Sequence, residues 1–248
     1  MKRILLIATL LLSVTMFAQT PADTNKTDAQ GRKQGLWKEV VNSLRTQGNY
    51  VDDKKEGTWQ TFHANDIIKT VEHYKNGQLT GLLIELDNTG HLVKYENYAD
   101  GVLNGQCLYY NSMGRVSMLV NYSNGKLYGP KKLYYNDGAL QEEGTWVNDQ
   151  RDGATKWYYS DKKLSVEYNY KGGQLEGLQK TYFRTGSIST ESNYQNNEMD
   201  GPYAEYYESG KQKVSGTYLK GQKNGIWKEM DENGKLIKTE KYVNGVLK

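Results

Sequence analysis

The chain has 248 residues, of which 37% are hydrophobic, 25% are charged and 12% are aromatic, and its formal net charge is +3. This low hydrophobic fraction with many aromatics argues against both disorder and a conventional single core. With so small an excess of positive charge we expect no nucleic-acid partner, and the single cysteine, Cys107, excludes an intramolecular disulfide.

The first element is a predicted signal peptide over residues 1–18. Lys2 and Arg3 precede the apolar run "ILLIATLLLSVTMF" (4–17), and Ala18 offers a small residue for cleavage. The run is shorter than the roughly 20 apolar residues that span a bilayer, so we expect cleavage near Ala18 rather than an anchor. The sequence therefore predicts a periplasmic or secreted protein with no transmembrane segment after cleavage. Residues 19–30 predict a flexible polar leader.

From residue 31 onward the chain repeats with a period of 24 residues, which predicts one repeat array over residues 31–248. A glycine, the anchor of each unit, recurs at this interval. The anchors are Gly57, Gly81, Gly105, Gly129, Gly153, Gly177, Gly201 and Gly225, with Gly35 preceding the first of them by 22 residues. A fixed period of this length is typical of stacked repeats, in which each unit packs on its neighbours.

Two columns of mainly aromatic residues follow the same period. Five residues after the anchor come Phe62, Leu86, Tyr110, Tyr134, Tyr158, Tyr182, Tyr206 and Met230. Seventeen residues after it come Tyr74, Tyr98, Tyr122, Trp146, Tyr170, Tyr194, Tyr218 and Tyr242. Glycine-containing turn signals separate these columns, and sequences such as Asn124-Gly125 favour tight hairpins. We therefore predict an all-β protein: an elongated, single-layer, twisted antiparallel sheet of about nine stacked 24-residue β-hairpins.

The pattern resembles MORN repeats, and more closely their bacterial variant. The segments "GTWQTF" (57–62), "GIWKEM" (225–230), "NGKLYG" (124–129) and "GGQLEG" (172–177) carry the resemblance, and the periodic pattern extends it over 31–248. The resemblance implies a non-catalytic scaffold or interaction module. Proteins of the variant are often labelled antitoxin-like, and MORN arrays elsewhere are described as scaffolds or membrane-associated adaptors.

No catalytic or metal-binding motif accompanies the repeats. The three histidines, His63, His73 and His91, lack a Cys, Asp or Glu spacing that completes a metal site. A repeating sheet also offers no single enclosed site in which a pKa could be strongly shifted. The sequence therefore predicts that the protein is not an enzyme and binds no cofactor or metal.

Three lysines form the first candidate binding surface. Lys132, Lys156 and Lys180 lie three residues after consecutive anchors, on the same predicted face as the tyrosines two positions later. One interpretation is a groove for an anionic or glycan polymer, in which lysines attract the polymer and tyrosines stack on it. The other is that the lysine stems cover neighbouring rings and keep an exposed sheet soluble.

Four aromatic residues form the second candidate surface. Tyr135, Tyr159, Phe183 and Tyr207 lie six residues after the anchors, in a column that is aromatic only in this part of the array. Either they form a contact patch for a partner, or they are cross-strand contacts that stabilise the sheet.

These features leave several partners open. We expect another protein as the partner. The alternatives are a glycan or cell-wall polymer, an envelope-acting toxin neutralised in the manner of an immunity protein, and the membrane surface.

Overall fold

The computed structural model describes residues 24–248, which form one open antiparallel sheet of 25 strands without a helix. The prediction of an all-β sheet of stacked hairpins is confirmed. No part of this range could cross a membrane as a helix. The predicted signal peptide lies outside the described residues.

The strands follow one another along the chain with short turns between them. They are β1 Lys26–Thr27, β2 Lys33–Val41, β3 Leu44–Val51, β4 Lys54–Phe62, β5 Ile68–Lys75, β6 Gln78–Leu79, β7 Gly81–Leu86, β8 Leu92–Ala99, β9 Val102–Leu103, β10 Gly105–Tyr110, β11 Val116–Ser123, β12 Lys126–Leu127, β13 Gly129–Tyr134, β14 Leu140–Val147, β15 Gln150–Arg151, β16 Gly153–Tyr158, β17 Leu164–Lys171, β18 Gln174–Leu175, β19 Gly177–Tyr182, β20 Ile188–Gln195, β21 Glu198–Tyr206, β22 Gln212–Leu219, β23 Gln222–Met230, β24 Leu236–Val243 and β25 Val246–Leu247.

The anchor glycines lie inside the first strand of each unit rather than at its start. That strand begins two or three residues before the anchor, and in five units it is interrupted next to the glycine, as between β12 and β13. Every anchor has a positive φ, from 67° at Gly81 to 115° at Gly201. A residue with a Cβ is disfavoured in this conformation, which explains why glycine recurs there.

The contracted first unit has a simple structural cause. Its two strands, β2 and β3, are joined by the two-residue turn Asn42-Ser43, and their pairing runs without a bulge from Gly35 to Val41. In the other units a register shift separates the fourth and fifth residues after the anchor, and a longer loop follows. The first hairpin is therefore two residues shorter while its strands keep the same order in the sheet.

The turns between units form a second set of contacts along one edge of the sheet. The backbone N–H of Gly125 donates to the carbonyl oxygen of Leu103 at 2.8 Å, and Gly101 and Gly173 donate to the equivalent positions of their units. Where another residue replaces the glycine, positive φ is retained: 68° at Asp149 and 69° at Asn197. Their side chains also accept hydrogen bonds, from the backbone N–H of the leucines at 127 and 175. These replacements thus preserve the turn.

The end of the predicted leader is part of the sheet. Lys26 and Thr27 pair with β2, and the Asn25 side chain makes hydrogen bonds of 2.8 and 2.9 Å with the backbone N–H and C=O of Lys38. Residues 25–27 therefore cover backbone groups on the outer edge of β2, where flexibility was predicted.

The two faces of the sheet differ in burial. We name face A the side that carries Lys132, Lys156 and Lys180, and face B the opposite side. Nearly all buried residues lie on face B: Thr46, Tyr50, Trp59, Leu83, Glu96, Cys107, Val120, Glu142, Trp146, Thr155, Gln179, Ser192 and Trp227. Two tryptophans, Trp59 and Trp227, lie directly against glycines of the neighbouring strand. A Cβ added at Gly48 would come within 2.3 Å of Trp59, and one at Gly216 within 2.2 Å of Trp227, so only glycine fits at these positions. The packed side of this single-layer sheet is therefore face B.

Candidate functional site

The three predicted lysines belong to one row of directly paired residues that crosses face A from the first to the last hairpin. We name it the central row. Its members, in spatial order, are Lys38, Gln47, Gln60, Val71, Ile84, Tyr95, Leu108, Leu119, Lys132, Glu143, Lys156, Glu167, Lys180, Glu191, Ala204, Ser215, Lys228 and Thr239. Neighbours along this row lie about 4.8 Å apart, the distance between paired strands.

Each of the three lysines forms an ion pair with the glutamate directly opposite. Three Nζ–Oε distances define these pairs: 3.2 Å for Lys132–Glu143, 3.3 Å for Lys156–Glu167 and 2.9 Å for Lys180–Glu191. We name these six residues the charged block. The predicted basic line is therefore balanced by an equal number of carboxylates, and it does not present free positive charge to a polyanion.

Tyrosines of the following unit complete the charged block. The hydroxyl of Tyr158 donates to Glu143 at 2.8 Å, and that of Tyr206 donates to Glu191 at 2.9 Å. The hydrogen bond from Tyr158 is the main cause that lowers the pKa of Glu143, with Lys132 adding to it. Burial, followed by the hydrogen bond to Glu143, raises the pKa of Tyr158 to about 12. Each Lys–Glu–Tyr set thus joins two successive units of the sheet.

The ion pair at the far end of the charged block, Lys180–Glu191, also stabilises the charged forms of both its members. The hydrogen bond from Lys180 lowers the pKa of Glu191, and the same contact raises the pKa of Lys180. The sequence held a signal for this arrangement, because a glutamate follows each of these lysines by eleven residues. That interval is the distance between directly opposed residues of one hairpin.

The second predicted set makes hydrogen bonds between successive units. The hydroxyls of Tyr135, Tyr159 and Tyr207 donate to the carbonyl oxygens of Tyr158, Tyr182 and Met230, at 2.7, 3.0 and 2.9 Å. His63 lies six residues after the anchor Gly57 and so belongs to the same column. Its Nε2 atom is 3.0 Å from the carbonyl oxygen of Leu86. The hydroxyls are therefore engaged within the chain, which supports the stabilising interpretation of this column.

The two predicted sets do not meet in one site. The rings of Tyr135, Tyr159, Phe183 and Tyr207 are half-buried. Lys213 lies over the ring of Tyr207 at 5.9 Å while its Nζ bonds to Glu205 on face B at 2.7 Å. These four aromatic residues therefore lie at the loop ends of the hairpins, on the side of face B, whereas the three lysines lie on face A.

Sequence reasoning missed the chemistry of the rest of the central row. Five half-buried apolar residues precede the charged block, and we name Val71, Ile84, Tyr95, Leu108 and Leu119 the apolar block. Beyond the charged block the small residues Ala204 and Ser215 take the place of long side chains. A depression of about 310 Å³ opens there; its lining includes Leu178, Glu191, Pro202, Ala204, Tyr206 and Ser215.

The described residues offer no group of three or more His, Cys, Asp or Glu side chains placed to hold a metal ion. His91 bonds to the hydroxyl of Thr89 in an exposed turn. The arrangement of face A consists of ion pairs, hydroxyls and apolar side chains in rows, which is the chemistry of a contact surface.

These features define an open, single-layer sheet of stacked β-hairpin units. Five of the units match the family model described as MORN repeat variant, at residues 55–76, 127–148, 151–171, 175–196 and 223–244. Each matched segment begins two residues before an anchor glycine, at the second residue of the unit's first strand. A search of curated proteins returned no match.

Proposed function

We propose that the protein is an exported, non-catalytic scaffold that binds another protein through face A. The observation that carries the proposal is the central row. No second layer covers it within residues 24–248, and it brings apolar, charged and small side chains into one continuous surface. MORN repeats are generally protein- or membrane-interaction modules, which supports the same class of function. Export rests on the predicted signal peptide, residues 1–18.

The burial of Trp59, Trp146 and Trp227 favours a protein over a glycan. A sugar that stacks on an aromatic side chain needs one open ring face. Trp59 and Trp227 are only 2% and 4% exposed, and their rings lie on Gly48 and Gly216. Balanced charge in the charged block likewise gives an anionic membrane little to attract.

Site-specific photocrosslinking in the native cell envelope tests the proposed surface. A photoreactive residue at Leu108 on face A should capture a protein, whereas one at Tyr168, half-buried on face B, is the matched control. Capture of a protein at Leu108 and not at Tyr168 would support the proposal. Equal capture from both faces, or none at Leu108, would contradict it. A toxin-like protein among the captured partners would assign the immunity-type role.

The aromatic column requires a separate experiment. Changing Tyr135, Tyr159, Phe183 and Tyr207 to Ser removes rings and hydroxyls together. Changing the three tyrosines to Phe removes only the hydroxyls and is the matched control. If these rings contact the partner, capture should fall with Ser and persist with Phe. Unchanged capture with a folded Ser variant would exclude the column from the binding surface.

Export is tested by cell fractionation. The wild-type chain should accumulate in the periplasm or medium, with its new N-terminus near residue 19. A variant that lacks residues 2–18 should remain in the cytoplasm. If both proteins fractionate identically, the export proposal is wrong, although the binding proposal is unaffected.

A further inference from the structure

The order of charges in the charged block is self-complementary. Its six residues alternate as Lys, Glu, Lys, Glu, Lys, Glu along face A. When this order is read backwards, every lysine position becomes a glutamate position. A two-fold axis that lies in the plane of the contact, parallel to the strands and between Lys156 and Glu167, relates the two copies in this way. It places face A of the second copy against face A of the first, with the order of its strands reversed.

The same rotation brings opposite charges together at all six positions. Lys132 faces Glu191 of the second copy, Glu143 faces its Lys180, and Lys156 faces its Glu167. Two packed sheets lie about 10 Å apart, a distance that facing lysine and glutamate side chains can span. The isologous contact thus adds a second carboxylate partner for each lysine without placing like charges opposite each other.

The ends of the charged block are also complementary, in shape rather than charge. The rotation places Leu119 opposite Ala204 of the second copy and Leu108 opposite its Ser215. These small residues line the depression of about 310 Å³ on face A. Each copy therefore presents large apolar side chains at one end and a depression for them at the other, twice in the dimer.

A neighbouring row of face A follows the same rule. Tyr134, Tyr158 and Tyr182 alternate with Leu140, Leu164 and Ile188, their partners across each hairpin. After the rotation, Tyr134 faces Ile188 of the second copy, and Tyr158 faces its Leu164. Aromatic rings then meet aliphatic side chains along the row, which buries apolar surface on both copies.

We propose that two copies of the chain bind each other through face A around this axis. On the other side of the central row, face A carries a third row of paired residues: Pro130, Thr145, Ala154, Asn169, Leu178 and Asn193. The contact runs from Leu108 to Ser215 over ten strands, about 48 Å at the usual strand spacing, and the three rows of side chains make it roughly 20 Å wide. On the order of 800–1,000 Å² per copy is then buried, the size of a standard specific interface. The inference rests on the proposed scaffold function and names one protein that face A binds.

Sedimentation equilibrium of the purified chain from about 1 to 100 µM should show a monomer–dimer equilibrium. Ala204→Trp fills the depression and Leu119→Asp places a charge against it. Each should raise the dimer dissociation constant at least about tenfold. Gln60→Trp and Val71→Asp are the matched controls, because these positions lie on the central row outside the overlap, and they should leave dimerisation unchanged.

A charge exchange tests the axis itself. Lys156→Glu and Glu167→Lys each place like charges across the axis and should weaken self-association. An equimolar mixture of the two variants restores opposite charges at both facing positions and should form the heterodimer. Circular dichroism establishes that each variant is folded. If either variant fails to fold, Ala204→Trp tests the same interface without altering the charged block.

The outcomes separate this inference from the proposed function. A chain that stays monomeric at all these concentrations overturns the inference, as does a dimer that Ala204→Trp and Leu119→Asp leave intact. If that monomeric chain is still crosslinked through Leu108 to a different protein, the scaffold function stands. A dimer that breaks with these variants, in a chain that captures no other protein, supports the inference and limits the function to self-association.

Discussion

The apolar and charged blocks of the central row carry different side-chain chemistry on the same backbone arrangement. Val71 to Leu119 and Lys132 to Glu191 follow the same strand register, and their hairpins carry a bulge at the same position. Yet the first block is made of aliphatic side chains and a tyrosine, and the second of ion pairs. The backbone ladder and its turns therefore do not depend on the side chains of face A.

Face B does not divide in the same way beneath the two blocks. Leu83, Cys107 and Val120 are buried behind the apolar block together with the carboxylate Glu96, and Thr155 and Gln179 are buried behind the charged block together with Trp146. The side chain of Gln179 is hydrogen-bonded there: its Oε1 accepts from the backbone N–H of Asn169 at 2.7 Å, and the two N–H groups of its Nε2 are shared among three carbonyl oxygens. The comparison teaches that face B must be filled with packed side chains, whereas the side-chain chemistry of face A can change from block to block on the same backbone.

The largest effect that tests this division is expected on face B. Trp59→Ala should lower the free energy of unfolding by about 3–5 kcal/mol, because it leaves a cavity over Gly48. Lys156→Ala on face A should cost at most about 1 kcal/mol, as for other exposed ion pairs. Urea unfolding measures both, with the exposed Tyr128→Ala as the control. Similar losses for Trp59→Ala and Lys156→Ala would remove the distinction between the faces.

A smaller effect tests whether the two blocks are interchangeable. Leu108 and Leu119 are directly paired, and Leu119 is paired with Lys132. Leu108→Lys alone should cost about 1–2 kcal/mol through lost apolar burial. Adding Leu119→Glu extends the alternating charges, so we expect a favourable coupling of about 0.5–1 kcal/mol in a double-mutant cycle. Strictly additive losses would mean that the apolar block is required by the fold.

The smallest effect concerns pH. The folded pKa values of Glu143 and Glu191 lie below the usual 4.5, so their stabilisation is complete above pH 4.5 and is lost as pH falls through the folded values. The stability difference between the wild type and the variant Glu143→Gln, Glu191→Gln should therefore shrink between pH 7 and pH 3. Leu108→Ala, in the apolar block, should show a difference that does not change with pH. A constant difference for the glutamine variant would rule out the pKa assignment.

Much of the fold was predictable because its determinants are local. The anchor glycines, the Asn-Gly turns and the two aromatic columns recur at a fixed interval, and each repeats a conformational requirement of one hairpin. The face shared by Lys132 and Tyr134 also follows from strand alternation alone. The two-residue contraction after Gly35 was visible, although its cause, a turn without the bulge, was not.

The candidate site was predicted in position but not in chemistry. Lysine periodicity located the charged block, but the pairing of each lysine with a glutamate and a tyrosine depends on contacts between strands. Likewise, the sequence singled out Tyr135 and Tyr159 as members of an unusual column. That their hydroxyls donate hydrogen bonds to the next unit depends on the proximity of residues that are 23 positions apart in the chain.

By itself, the sequence determined the period, the hairpins and the order of strands, because turn conformation and side-chain alternation are set within a few residues. Only the tertiary structure decided which face is buried and which side chains pair along the central row. Those outcomes arise from strands that meet side by side over many units, where packing on Gly48 and Gly216 and the opposition of Lys132 and Glu143 are settled between distant residues.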